Sequence, residues 1–161
     1  MIWKRTSEHI ENAGAADPVL IRAKALELLA RREHTRLELR QKLLQRGFPA
    51  DRIESVLEQL VEERLLDETR FAELYAGARA DKGYGPLRVA RELRERGVPD
   101  EVVTATLGAL EDDWLPKLRE LHRKRFKAHI PADVAGRLQQ TRVFRQHGFT
   151  LDQIKHLYDS F

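Results

Sequence analysis

The side chains in this sequence whose types and spacing suggest chemistry are cations rather than nucleophiles or metal ligands. Arg88 and Arg91 stand three residues apart and Arg94 continues the line. On a helix that spacing ranges guanidinium groups along one face, where they can follow a phosphate backbone or an acidic protein surface. Just before them, Lys82-Gly83-Tyr84-Gly85-Pro86 offers a cation, an aromatic ring and a turn. A second tract, Arg119, Arg123, Lys124, Arg125 and Lys127, is denser in charge. A plainer reading competes with both: Tyr84 packs a helix corner, and the cations are a solvated face that keeps the chain soluble.

Redox and hydrolytic chemistry find less support. The 161 residues include no cysteine, which removes disulfides, thiolate zinc sites, iron–sulfur ligation and a thiol nucleophile. The six histidines (His9, His34, His122, His129, His147, His156) form no H-E-x-x-H and no i, i+4 pair, so a helical zinc site is not expected. His147, beside Gly148, suits an interaction with a helix end. Gly83-x-Gly85 lacks a preceding strand and a third glycine, and Pro86 removes the next amide, so it makes a poor nucleotide loop. Glu62-Glu63 and Asp112-Asp113 fall at helix ends in charged surroundings, without the buried setting that acid–base work needs. The expectation is a protein with no catalytic residues, no cofactor and no metal.

The elements that must position these cations are legible. Leu, Ala, Arg and Glu dominate, and no stretch sustains a period of two, so the fold class is all-α. Asp17-Pro18 pairs an N-cap with proline at the first helical position, Thr35-x-x-Glu38 is a capping box, and Gly85-Pro86 repeats the cap-and-proline device. Gly47-Phe48, Gly97-Val98 and Gly148-Phe149 each join a glycine able to go left-handed to an apolar residue, the signature of a Schellman stop. These stops are 50 and 51 residues apart, which marks a repeat. A shift of 50 lays Leu43 on Leu93, Arg46-Gly47 on Arg96-Gly97 and Ile53 on Val103 without a gap, while the third copy diverges near His129-Ile130-Pro131.

Three helices per copy are therefore expected, over 18–32, 35–46 and 50–64, then 67–82, 86–96 and 100–110, then 112–127, 133–147 and 150–159. Their apolar stripes, such as Ile21, Ala25, Leu28 and Leu29 or Ile53, Val56, Leu57 and Leu60, read as core. Residues 1–16 form an N-terminal extension, and 17–66, 67–111 and 112–161 are three tandem three-helix repeats. A row of such bundles, each helix of ~15 residues being about 22 Å long, is expected to make an elongated, curved body.

The net charge of +3 averages over a pattern. Arg31 to Arg46 carries a net +4 and Asp51 to Glu73 a net −5; Arg79 to Arg96 carries +3, Asp100 to Asp113 carries −5, and Lys117 to Lys127 carries +5. Second helices are basic and third helices acidic, most clearly in the first two copies, while the Lys117 to Lys127 tract lies in the first helix of the third. The N-terminus has no signal-peptide stretch, and the longest notable uncharged run, Val102 to Leu110, is far short of the roughly 20 residues that span a bilayer. A soluble, cytoplasmic monomer with no membrane contact is expected.

Glu68-Thr69-Arg70-Phe71 and Lys82-Gly83-Tyr84-Gly85-Pro86-x-Arg88-Val89-x-x-Glu92-Leu93, preceded by Arg32-Glu33-His34-Thr35-Arg36-Leu37-Glu38-Leu39-Arg40-Gln41-Lys42-Leu43, resemble the RecX family of recombinase regulators. The likeness runs over roughly 20–160, with the segments in family order, and leaves 1–16 outside. His147 departs from it, standing where arginine is usual. The resemblance implies a protein that binds the RecA recombinase, lodges in the groove of its filament on single-stranded DNA, and curbs ATP hydrolysis, strand exchange and coprotease action in DNA repair, recombination and the SOS response. By carry-over and charge, Lys82, Tyr84, Arg88 and Arg91 are the expected filament or DNA contacts, and Arg123, Lys124, Arg125 and Lys127 a second set. The rival reading is a helical module that binds single- or double-stranded DNA directly, although apart from Gln41 the second helices lack the Asn and Gln that read adenine. A helical scaffold for some other protein is a third reading.

Overall fold

The computed structural model describes residues 16–161, and the regular secondary structure among them is wholly helical. The helices are α1 (Pro18–Arg31), α2 (Arg36–Gln45), α3 (Ala50–Glu62), α4 (Glu68–Asp81), α5 (Pro86–Glu95), α6 (Asp100–Ala109), α7 (Glu111–Phe126), α8 (Val134–Gln146) and α9 (Leu151–Asp159). Each bound lies within two residues of expectation. The N-terminal extension over 1–16 falls, except for its last residue, outside the described residues. No helix among them is long and apolar enough to cross a membrane.

Local chemistry accounts for the bounds. Asp17 accepts a hydrogen bond from the Val19 amide at 2.9 Å, with Pro18 opening α1. Thr35 with Glu38 and Thr150 with Gln153 close reciprocal capping boxes on α2 and α9. At the three expected stops the residue beyond the glycine donates back into the last turn: Phe48 to the Leu43 carbonyl, Val98 to Leu93 and Phe149 to Phe144, at 3.4, 3.1 and 3.1 Å.

The chain forms two compact units, one ending at Phe71 and one running from Ala72 to Phe161. In the first, α1, α2 and α3 pack on one another. Ile21, Ala25, Leu28, Leu39, Leu43, Ile53, Val56, Leu57, Leu60 and Leu66 form its core, with Leu29 and Phe48 partly buried against it. Burying a Leu or Ile side chain contributes about 1.5–3 kcal/mol. The basic and acidic helices of this repeat turn toward each other: Arg36 and Arg40 on α2 both pair with Glu54 on α3. Hydrogen bonding from Arg36, opposed by burial and reinforced by Arg40, holds the Glu54 carboxyl below its ordinary range.

In the second unit α5 packs on α6, α6 on α7, and α9 on both α7 and α8. The divergent third copy closes its own core around Leu118, Phe144, Phe149, Ile154 and Leu157. Val89, Leu93, Val98 and Val103 bury the inner faces of α5 and α6.

Candidate binding site

The Lys82 to Arg91 segment lies wholly in the second unit. Helix α4 ends at a fourth Schellman stop, in which Gly83 adopts φ +87° while the Gly83 and Tyr84 amides donate to the Ala80 and Arg79 carbonyls at 2.9 and 3.1 Å. This stop puts Lys82 on the surface and turns the half-buried Tyr84 ring back against its own helix. The guanidinium carbons of Arg79 and Arg88 stand 3.9 and 4.3 Å from the Tyr84 ring centroid, within cation–π range. His147 stacks with the same ring, centroids 5.4 Å apart.

Glu92 joins these arginines. Its carboxylate accepts hydrogen bonds from Arg79 Nε and Nη2, both at 2.8 Å, from the Tyr75 hydroxyl at 2.9 Å and from Arg88 Nε at 3.2 Å. The side chain is only 12% exposed. Burial pushes the carboxyl up, but hydrogen bonds from Arg79, Tyr75 and Arg88 outweigh it and hold the group at about 2. Arg88 is thus committed to Tyr84 and Glu92, whereas Arg91, 67% exposed, faces water and meets Glu95 only at 3.7 Å.

The turn is also clamped from α8. Helix α5 has no side-chain cap at Gly85, and its start is satisfied by carbonyls some 60 residues away: Gly85 N donates to His147 O at 2.7 Å and Leu87 N to Gly148 O at 2.9 Å. The Gly83 carbonyl can only accept, so His147 Nδ1, 3.0 Å from it, carries the hydrogen. The backbones approach closely enough that both residues must be glycine. A Cβ on Gly85 would stand 2.6 Å from the Gly148 carbonyl, and one on Gly148, at φ +96°, would stand 2.4 Å from Arg88 Cβ.

Beside this turn an open depression is lined by one residue from each expected contact set, Lys82 and Lys124. Its lining is mixed in charge, with Asp81 and Lys82 from the end of α4 and the turn after it, Lys117, Glu120 and Lys124 from α7, and Gly83 and Leu121 beside them. Lys117 bridges to Asp81 at 2.7 Å and Lys124 to Glu120 at 2.6 Å, both ion pairs near the surface. Of the expected contact residues, then, Tyr84 and Arg88 meet each other, and Lys82 and Lys124 line the same depression. Arg91, Arg123, Arg125 and Lys127 are exposed but do not line this depression. Lys127 takes the left-handed cap of α7 at φ 52°.

Reading the residues alone missed Arg79, Tyr75, Glu92 and Lys117. The i, i+4 spacing of Arg88 and Glu92 was a usable signal for one pairing, but nothing local announced the others. The helix-end role expected of His147 takes a particular form, a contact with Tyr84 and Gly83 from the far end of α8. No group of three or more His, Asp or Glu among the described residues could hold a metal ion.

Comparison with known proteins places the chain. Residues 22–60 match the family model "RecX, first three-helix domain" and residues 67–107 "RecX, second three-helix domain". A Halorhodospira halophila protein named "Regulatory protein RecX" is 48% identical over 146 residues, covering 91% of this chain and 90% of its own. The protein of the same name from Pseudomonas savastanoi pv. phaseolicola is 43% identical over 140 residues, covering 87% of this chain and 90% of its own. In fold, the crystal structure of RecX from Lactobacillus salivarius superposes with a TM-score of 0.78 at 21% identity, covering 89% of this chain and 96% of that one. With two family domains matched in order and nearly full-length relatives above 40% identity, this chain belongs to the RecX family.

Proposed function

We propose that this chain is a regulator that binds the RecA recombinase assembled on single-stranded DNA and restrains it, lowering ATP hydrolysis, strand exchange and coprotease action in DNA repair, recombination and the SOS response. Family membership supports the regulatory role. The observation that carries the contact assignment is the depression lined by both Lys82, from the turn after α4, and Lys124, from α7. Unlike Arg88, neither is drawn into the Glu92 network: Lys82 is exposed, and Lys124 is exposed beside Glu120, with which it makes a surface ion pair. Three lysines against the two carboxylates Asp81 and Glu120 leave this open concavity net positive, which suits phosphates or acidic side chains. Arg91, Arg123, Arg125 and Lys127 are available as flanking contacts, and Tyr84 and Arg88 act through the shape of the turn.

Binding would bridge neighbouring recombinase protomers and block subunit addition or the nucleotide-linked rearrangement of the filament, with no covalent step. The chain acts as a cytoplasmic monomer, with repeats over 17–66, 67–111 and 112–161. The test is binding of wild type and of a Lys82→Glu/Lys124→Glu double variant to fluorescent single strands, with and without recombinase, at fixed near-physiological salt. The double variant is expected to bind the filament about tenfold more weakly with helical content unchanged. Equal binding would overturn the assignment. Affinity residing in DNA alone, with a steep salt slope in the absence of recombinase, would favour the direct nucleic-acid reading instead.

A further inference from the structure

The group around Tyr84, between α4, α5 and the end of α8, is dense in polar chemistry: a nearly buried carboxylate, two arginines, two tyrosines and a histidine. Well-packed apolar residues would often stabilise such a place as well as an ion network does, so stability alone does not account for it. Directional hydrogen bonds and rings instead fix an angle. What they fix here is the Lys82-Gly83-Tyr84 turn. Its Gly83 carbonyl is held by His147, its following amides by the end of α8, and its Tyr84 ring by Arg79 and Arg88, which Glu92 locks in turn. The turn rests on α7, since a Cβ on Gly83 would lie 3.4 Å from Leu121. Gly83 and Leu121 both line the depression, so a change in the turn changes the gap between Lys82 and Lys124.

We propose that His147 and Glu92 are positioning residues that set the Lys82–Lys124 gap, and with it the fit of the depression to its partner. They touch no partner themselves. The proposal rests on the reading of the depression as the contact site, and it assigns to that site a determinant lying outside its lining.

The chain has no cysteine, so spin labels can be placed without background. Ala78→Cys/Arg123→Cys puts one label on the exposed surface of α4 and one on that of α7, leaving the Asp81–Lys117 and Lys124–Glu120 pairs in place, and dipolar spectroscopy then reads the spacing of the two elements that carry Lys82 and Lys124. The labelled parent and His147→Gln, whose amide can still donate to Gly83, are expected to show one narrow distance. His147→Phe, which keeps a ring but no donor, and Glu92→Gln are expected to show a broadened or displaced distance well below their unfolding temperatures. Their unlabelled counterparts are expected to bind the recombinase filament about tenfold more weakly. Narrow, parent-like distances in both His147→Phe and Glu92→Gln would overturn the proposal. If the distances change as stated but Lys82→Glu/Lys124→Glu binds like wild type, the joint stands and it is the contact reading that fails.

Discussion

Glu92→Gln is the substitution whose cost the structure fixes best. It keeps the shape of the side chain and removes the charge that Arg79, Arg88 and Tyr75 all address. The carboxyl is held at about 2 against an ordinary 4.5. At ~1.4 kcal/mol per pH unit that preference for the charged form contributes about 3 kcal/mol at neutral pH. The side chains of Glu92 and Arg79 are 12% and 20% exposed, so solvent screening removes only part of it. Loss of about 2–3 kcal/mol in a chain of this length lowers the melting temperature by roughly 4–12 °C. The sign with pH follows, because a carboxyl with a depressed folded-state value stabilises above its unfolded value and loses that contribution as pH falls. The gap between wild type and Glu92→Gln should be full above about 4.5 and close toward about 2. Urea unfolding of a Trp3→Phe background, followed by the fluorescence of the remaining Trp114 in the same unit, across pH 2–7 measures it. A variant within about 0.5 kcal/mol of wild type at neutral pH, or a gap that does not shrink with acid, would refute the reasoning.

The glycine stops offer a paired test: Gly148→Ala must push against Arg88 Cβ at 2.4 Å as well as adopt φ +96°, while Gly47→Ala meets no atom within 4 Å and bears only its φ of +85°. Chemical denaturation should give a loss of roughly 2–4 kcal/mol for the first and about 1 kcal/mol for the second. His34 gives a pH prediction in the first unit. Its Nδ1 donates to the Arg32 carbonyl and its Nε2 accepts from Lys42, both near 3 Å. Burial, opposed by the Arg32 carbonyl and reinforced by the charges of Arg32 and Lys42, holds it below its ordinary value. Its stabilising contribution is therefore present above pH 6.5 and lost as the pH falls below it, which a His34→Gln variant should flatten in unfolding titrations over pH 5–7. Arg91→Ala should leave stability within about 0.5 kcal/mol, whereas Arg88→Ala should cost about 1–2 kcal/mol, compared by the same denaturation curves.

Local signals carried most of the fold. The stops at Gly47, Gly97 and Gly148 and the box at Thr35 act within five residues, so their meaning does not depend on the rest of the chain. Gly83 makes the same stop, but it is followed by a tyrosine rather than an aliphatic or phenylalanine side chain, so the sequence shows a turn there without marking it as a helix stop. The phase of α5 was read one step off. With Val89, Ala90, Glu92 and Leu93 buried, Leu87, Arg91 and Arg94 face outward and Arg88 sits at the inner edge, so the Arg88, Arg91 and Arg94 line is not one exposed face. The charge alternation was correctly seen but not its use: in the first repeat Arg36 and Arg40 spend it on Glu54, and Arg94 pairs with Asp100 in the second. The depression shared by Lys82 and Lys124 and the close approach of Gly85 to Gly148 join positions 42 and 63 residues apart. No periodicity encodes such pairs, and only the folded chain displays them.

The central claim is that cations around the Lys82 depression let this chain restrain the recombinase. Titration into a RecA–single-strand ATPase assay at fixed near-physiological salt, wild type beside Lys82→Glu/Lys124→Glu, tests it most directly. Progressive inhibition by wild type, largely lost in a double variant that retains its helical content, is the predicted result. Undiminished inhibition by the folded double variant, or none by wild type, would contradict it.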